Sequence, residues 1–285
     1  MRAQGEKVSK WDHVEAPPCA FLDHWKVSLG GFSERAGRPV RRLELPVGRD
    51  VLIIGLGEKF SVRSAFSDST PTLRQSFVGA FQCDPQIVEH AGTQSCVQLS
   101  FPSWTSTALF GGSCTEWKGG VLDLYDLWGS AADRLAEELS EQRHWKERFH
   151  AVKHFLAVKF DSSQTRVRPE LRRAWAQLEN SHGRISIRAL AKATGWSDRH
   201  FAARFRGQYG VLPKAAADRI RFAHAMQAMM SSESRSLADI ALDCGYSDQC
   251  HLTRETRRFS GCTPCALRLA RFPDLLGIPA NVLGA

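Results

Sequence analysis

The sequence predicts an α+β protein. An N-terminal β-rich sheet or small barrel with two helices precedes a C-terminal all-α domain, in which two helix-turn-helix units are joined by a long helix. Three observations carry this expectation. Short apolar runs between turn residues fill residues 21–101, helical periodicity takes over beyond residue 126, and one pattern is written twice between residues 188 and 264. Charge divides the chain in the same place. Residues 166–272 hold 19 Lys and Arg against 9 Asp and Glu, whereas residues 1–165 hold 19 against 20. The basic excess belongs to the repeated part and implies a polyanionic partner bound in a salt-dependent way. The expected division is 1–165, 166–272 and a tail, 273–285.

Residues 1–20 are polar, include Pro17 and Pro18, and read as a loosely ordered lead-in. With no apolar core behind the first charges and no run of 18 apolar residues, a soluble, cytoplasmic chain without membrane contact is expected. WKVSL, VRRLEL, VLIIGLG, FSVRSAF, QSFVGAF and SCVQLSF follow as strands, the last alternating at Val97, Leu99 and Phe101. Gly55 and Gly57 do not make a dinucleotide loop, because Phe60 stands where a third glycine is needed. Residues 102–110 suit a short helix ending at Gly111 and Gly112. Leu122 and Leu124 then alternate, while Leu127, Ala131, Leu135 and Leu139 recur at helical spacing, so a strand or loop hands over to a helix near Asp126. A second helix, residues 145–160, puts Phe149, Val152, Leu156 and Phe160 on one face.

Six of the eight tryptophans fall in this half; core packing accounts for most, and an effector pocket would lie near Trp104 and Trp117. His150 and His154 have the spacing of a metal pair but no third ligand, which favours an ordinary surface pair. Eight scattered cysteines do not suggest a disulfide framework. Cys262 and Cys265, with Cys244 and Cys250 upstream, leave a metal or redox role as the alternative to a closing turn. No cofactor is expected.

After a polar hinge at residues 164–168, a helix over 168–180 buries Leu171, Trp175 and Leu178 and ends near Gly183. The two copies come next. Ala191, Gly195, Trp196, Ser197 and Asp198 recur fifty residues later as Ala241, Gly245, Tyr246, Ser247 and Asp248. Beyond one extra residue in the second copy, Phe201 matches Leu252, Gly210 matches Gly261 and Pro213 matches Pro264. In each copy an apolar helix stops at a glycine, an aromatic packs the turn, and Ser197 or Ser247 caps a new helix. The outward side of the first new helix carries Arg199, Ala203 and Arg206. That of the second carries Cys250, Arg254 and Arg257, with His251 at the flank. Residues 214–230 between the copies, alanine-rich and poor in glycine, suit a continuous rod.

Residues 168–271 resemble the DNA-binding domain of AraC-type (AraC/XylS) transcription regulators, and GYSDQCHLTRETRR followed by GCTP carries most of the likeness. Thr256 departs from the phenylalanine usual there, and Ala203 from a common arginine. VLDLYDLWG is similar to a VDLxDLWG-like stretch in one subset of that family, for which no ligand is implied. The resemblance implies a sequence-specific regulator that puts two helices into successive major grooves of double-stranded DNA. Asp198, Arg199, Ala203, Arg206, Gln249, His251, Arg254 and Arg257 are the expected DNA-facing residues, with Arg254 and Arg257 foremost. A small-molecule effector in the N-terminal domain, a homodimer and, for an activator, RNA polymerase are the further partners. Two alternatives stay open: an architectural DNA binder, and a DNA-repair methyl-transfer enzyme. The second needs a cysteine nucleophile, and none of Cys19, Cys83, Cys96 or Cys114 has a histidine beside it.

Overall fold

The computed structural model describes residues 10–46, 48–81, 84–111, 120–163, 165–231, 235–270, 272 and 277–283. The expectations placed on Cys83, Gly112, Cys114, Trp117 and Gln164 lie outside the described residues. In chain order the strands are β1 (Lys10–Glu15), β2 (Ser28–Arg35), β3 (Val40–Glu44), β4 (Asp50–Gly55), β5 (Phe60–Ser64), β6 (Thr72–Arg74), β7 (Ser76–Gly79), β8 (Gln86–His90), β9 (Thr93–Phe101) and β10 (Val121–Asp123). They form two antiparallel sheets, ordered β1-β2-β9-β4-β7-β10 and β3-β8-β5-β6. Phe60 and Val62 of one sheet pack with Phe77 and Cys96 of the other. The β part is therefore a sandwich of two sheets.

The lead-in expectation is corrected by β1, whose Lys10 to Glu15 pair along β2 from Arg35 back to Gly30. This strand is almost wholly exposed, so it had no buried face to write into its pattern. A short helix, α1 (Ala20–Trp25), and the strands β6 and β8 are also beyond the sequence reading.

The far face of the six-stranded sheet is covered by helices. α2 (Ser103–Phe110), α3 (Leu124–Trp128), α4 (Ser130–Glu141) and α5 (Trp145–Ser162) bury Leu124, Leu135, Leu139, Phe149, Val152 and Leu156 against Leu52, Ile54, Val97 and Leu99. At the expected handover, the Asp123 carboxylate accepts a hydrogen bond from the Tyr125 amide at 3.0 Å and starts α3. The single helix expected next is two, broken at Gly129, whose φ of 58° glycine adopts without strain.

The C-terminal domain begins with α6 (Pro169–Asn180), where Leu171, Trp175 and Leu178 are fully buried as expected. It is seated on the sandwich. Phe81 meets the Trp175 ring edge-on at 5.1 Å, Arg172 lies 4.2 Å over Trp104, and Thr107 donates to the Gln208 carbonyl at 3.1 Å. Asp50 organises this seam: its carboxylate accepts the Phe81 amide and, at 2.7 Å, the Ser106 hydroxyl. Burial pushes its pKa up to about 6, against the pull of those hydrogen bonds. The tail closes a second seam. Leu43 donates to the Ile278 carbonyl at 2.8 Å, Pro279 bridges Arg42, and Ile278 and Val282 are buried with Leu43 in the C-terminal core. The described tail thus packs rather than frays.

Trp175 is the pivot of the first seam, stacking on Phe205 at 5.7 Å and meeting Tyr209 at 4.8 Å. In chemical denaturation, Trp175→Ala is expected to lower the unfolding free energy by about 3–5 kcal/mol, the range for truncating a buried aromatic ring.

Candidate nucleic-acid interface

Each repeated stretch folds as helix, tight turn and second helix. The first pairs α7 (Ile187–Thr194) with α8 (Asp198–Tyr209), the second α10 (Leu237–Asp243) with α11 (Gln249–Ser260). Between them runs α9 (Pro213–Ser231), and α12 (Pro264–Leu269) follows. Gly195 (φ 75°) closes α7, and Gly245 (φ 79°) turns the chain after α10. The Ser197 hydroxyl accepts the His200 amide at 3.3 Å, the expected cap of α8. The second cap is different. Asp248, not Ser247, accepts the His251 amide at 2.7 Å, while Ser247 hydrogen-bonds to Asp248 at 3.2 Å. The extra residue of the second copy therefore falls in the turn and moves the helix start to Gln249. The amide hydrogen bond from His251 holds the Asp248 carboxyl below the usual range.

The expected outward residues lie on the surface. Asp198, Arg199, Ala203, Arg206, Gln249, Arg254 and Arg257 are exposed, and His251 is partly covered, its Nδ1 at 3.2 Å from the Ser247 hydroxyl. Beneath them the two helices differ. Phe201, Phe205 and Tyr209 fill the inner face of α8; Leu252, Thr256, Phe259 and Ser260 fill that of α11. Thr256 is wholly buried, and its hydroxyl donates to the Leu252 carbonyl at 2.8 Å, so the departure from phenylalanine leaves no unmet polar group. Phe259, 5.1 Å from Phe222, supplies the aromatic bulk instead.

Charge pairing separates the arginines. Arg258 is paired with Glu255, Arg235 with Asp243 and Arg221 with Asp218, whereas Arg199, Arg206, Arg254 and Arg257 make no ion pair among the described residues. These four remain available to an anion. Exposed Arg204 and Arg258 on the same helices, and Arg188 and Lys192 on α7, were not singled out from the sequence. Arg258 could have been found there: it stands four residues beyond Arg254 on one helix face.

The rod α9 spans two cores. Ala216, Ala217 and Ile220 belong with Phe201 and Phe205; Phe222, Ala225 and Met229 belong with Leu252 and Phe259. Arg221, buried and paired with Asp218, lies 5.2 Å over the Tyr246 ring and so fastens the second turn to the rod.

The other candidates separate. Trp104 sits in the domain seam against Trp25 and Arg172, so it is a packing residue and not a pocket wall. An apolar cavity lies between the two sheets: about 190 Å³, walled by Val51, Ile53, Phe60, Phe77 and Val88, with Arg42, Glu44 and His90 at its polar end. His150 and His154 are both exposed, and no cluster of three His, Cys, Asp or Glu able to hold a metal occurs among the described residues. Cys262 is buried, 3.7 Å from the Val282 carbonyl, while Cys265 is exposed, so the two thiols do not face a common point. Burial pushes the Cys96 thiol up to about 12, which keeps it from serving as a thiolate nucleophile. No helix among the described residues is long and apolar enough to cross a membrane.

The fold and this surface define a double helix-turn-helix protein with a β-sandwich domain in front. Residues 190–270 match the helix-turn-helix domain family. Among curated proteins, the virulence regulon transcriptional activator VirF of Yersinia enterocolitica is 32% identical over 104 residues, 36% of this chain and 38% of the relative. The HTH-type transcriptional regulator ExsA of Pseudomonas aeruginosa is 39% identical over 64 residues, 22% of this chain and 23% of the relative. The chain thus matches well under half the length of these relatives. A crystal structure of ToxT from Vibrio cholerae aligns with 92% of this chain and 98% of its own at 9% identity, with a TM-score of 0.49.

The cap assignment has a direct test in thermal unfolding. Ser197→Ala is expected to cost about 1 kcal/mol. Asp248→Ala should lower the melting temperature, and Ser247→Ala should change it much less. The reverse order for the last pair would restore Ser247 as the cap.

Proposed function

We propose that the chain is a sequence-specific, DNA-binding transcription regulator of the AraC type, with α8 and α11 as its two reading helices. The observation that carries this is the set of four arginines without an ion pair among the described residues, Arg199, Arg206, Arg254 and Arg257, exposed on two helices that are each capped by a side chain and tied to one rod. A 19-residue helix is about 28 Å long, comparable to the ~34 Å between successive major grooves on one side of a duplex. The matched relatives are named as transcriptional activators or regulators, in line with this reading.

In the complex, Arg254 and Arg257 contact bases or phosphates from α11, and Arg199 and Arg206 do so from α8. Asp198, Gln249 and His251 assist at the helix starts. Ala203 contributes an apolar contact where α11 has Arg254, so the first helix reads less sequence than the second. The β-sandwich domain is regulatory, with a small-molecule effector in the cavity between its sheets; self-association as a homodimer and contact with RNA polymerase complete the reading for an activator.

Selection of bound sequences from a random duplex library, followed by titration against competitor DNA, tests it. The parent should enrich a defined site with a steep salt dependence. Arg254→Ala should bind that site more weakly by about 1–3 kcal/mol and relax the sequence preference at one position. A salt slope with no enriched site would mean an architectural binder instead.

A further inference from the structure

We propose that Arg184 is a positioning residue that locks the two helix-turn-helix units to each other and so fixes one accepted spacing between the half-sites on DNA. The spacing consequence rests on the two-helix reading above; the lock itself does not.

Each unit is fastened to α9, the first through Ala216, Ala217 and Ile220 and the second through Phe222, Ala225 and Met229. Two bodies attached at different places on one rod keep a rotation about its axis unless they also touch each other. The segment between α6 and α7 supplies that touch.

This segment turns through two left-handed residues, His182 (φ 51°) and Gly183 (φ 72°). His182 stacks on His224 of α9, with ring centroids 3.9 Å apart and planes 7° from parallel. Burial, joined by the fields of His182 and Arg184, holds the His224 pKa below the usual histidine value, so its ring is uncharged at neutral pH. Gly183 lies flat on the rod: a β-carbon there would sit 2.1 Å from the Ala217 carbonyl oxygen.

With its backbone pinned in this way, Arg184 reaches the second unit. Its Nε donates to the Ser181 carbonyl at 3.3 Å, and its Nη1 donates to the Asp243 carbonyl at 3.5 Å, on the last residue of α10. Carbonyls in the last turn of a helix lack partners within it and carry the negative end of its dipole, so a guanidinium suits this place. The stem of Arg184 lies over Gly245, where a β-carbon would come within 2.9 Å of both Cγ and Cδ. Gly245 turns the chain from α10 towards α11, so Arg184 holds the second unit at its turn. The contacts thus close a ring from first unit to rod, rod to second unit, and second unit back to first. On a duplex, each added base pair turns one half-site by about 34° relative to the other, so a locked pair of units accepts one spacing and a rocking pair accepts several.

Pulsed dipolar measurement between spin labels at the exposed positions 203 and 250, on α8 and α11 of the full chain, tests the lock without DNA. Keto amino acids carry the labels, so the remaining cysteines stay unmodified. The parent should give one narrow distance distribution, and Arg184→Ala a much broader one with an unchanged circular dichroism spectrum. Arg188→Ala removes the same charge from α7 and should leave the distribution as in the parent. A broad parent distribution, a narrow one for Arg184→Ala, or equal broadening by Arg188→Ala overturns the lock, whatever the DNA experiments give. On the site enriched by the library selection, moving the half-sites apart by a single base pair should weaken parent binding by about tenfold and Arg184→Ala binding by about threefold at most. Equal losses in the two proteins overturn the spacing role. Failure to enrich any site counts against the two-helix reading and the spacing role together, and the distance measurement then decides the lock by itself.

Discussion

The arrangement depends on one constraint: the sandwich domain supplies side chains to the core beneath α8 and to the core beneath α11. Phe81 and Trp104 are buried with Trp175, Phe201 and Phe205 under α8. Leu43 is buried with Leu252, Phe259 and Leu267 under α11. Protein interiors are close-packed, so neither helix-turn-helix unit can shift against the sandwich without opening a void beside one of these residues. The orientation of α8 and α11 is thus set by contacts with both domains, on both sides of a short connection.

β3 shows how this coupling is built at the level of the strand. Its period of two sends Arg42 and Glu44 to the cavity side and Leu43 to the other, where the Leu43 amide also pairs with Ile278 of the tail. One residue of backbone separates the cavity wall from the core of the second helix-turn-helix unit. The same strand binds the tail by the Arg42 to Pro279 bridge, and Arg42 lies 5.4 Å from the Phe272 ring. A ligand that alters the pairing of Arg42 acts on a strand already built into the C-terminal core, so no distant relay is needed.

The sequence disclosed what short-range rules govern. Helix periodicity, the glycine at each turn, the Ser197 cap and the outward arginines are set by residues within a few positions of one another, and all are found where that spacing puts them. The same reasoning erred where one inserted residue could be absorbed at several points: Ser247 and Asp248 both can cap, and it is Asp248 that accepts the His251 amide. It was silent where a segment's partner decides its structure. β1 is exposed and exists by pairing with β2; the tail is ordered by β3; Trp104 is drawn into the domain seam by Trp25 and Arg172. The cavity is the extreme case, since its walls come from strands of both sheets and no single stretch carries its signature.

The helices α8 and α11 resolve the conflict between core and surface in different ways. α8 has three aromatic residues inside and three exposed arginines outside, Arg199, Arg204 and Arg206, and its core is completed by a stack of rings running from Phe81 through Trp175 to Phe205. α11 has two hydroxyl side chains, Thr256 and Ser260, facing inward, each satisfied by a carbonyl one turn back. Such residues contribute less apolar burial than aromatics do, so α11 draws more of its support from outside its own unit. Leu43, Ile278 and Val282 provide it, and Cys262 after the helix reaches the Val282 carbonyl. The cavity borders both footings: Leu43 of β3, between wall residues Arg42 and Glu44, is buried in the core of α11, and Asp50, beside wall residue Val51, accepts the amide of Phe81 in the core of α8.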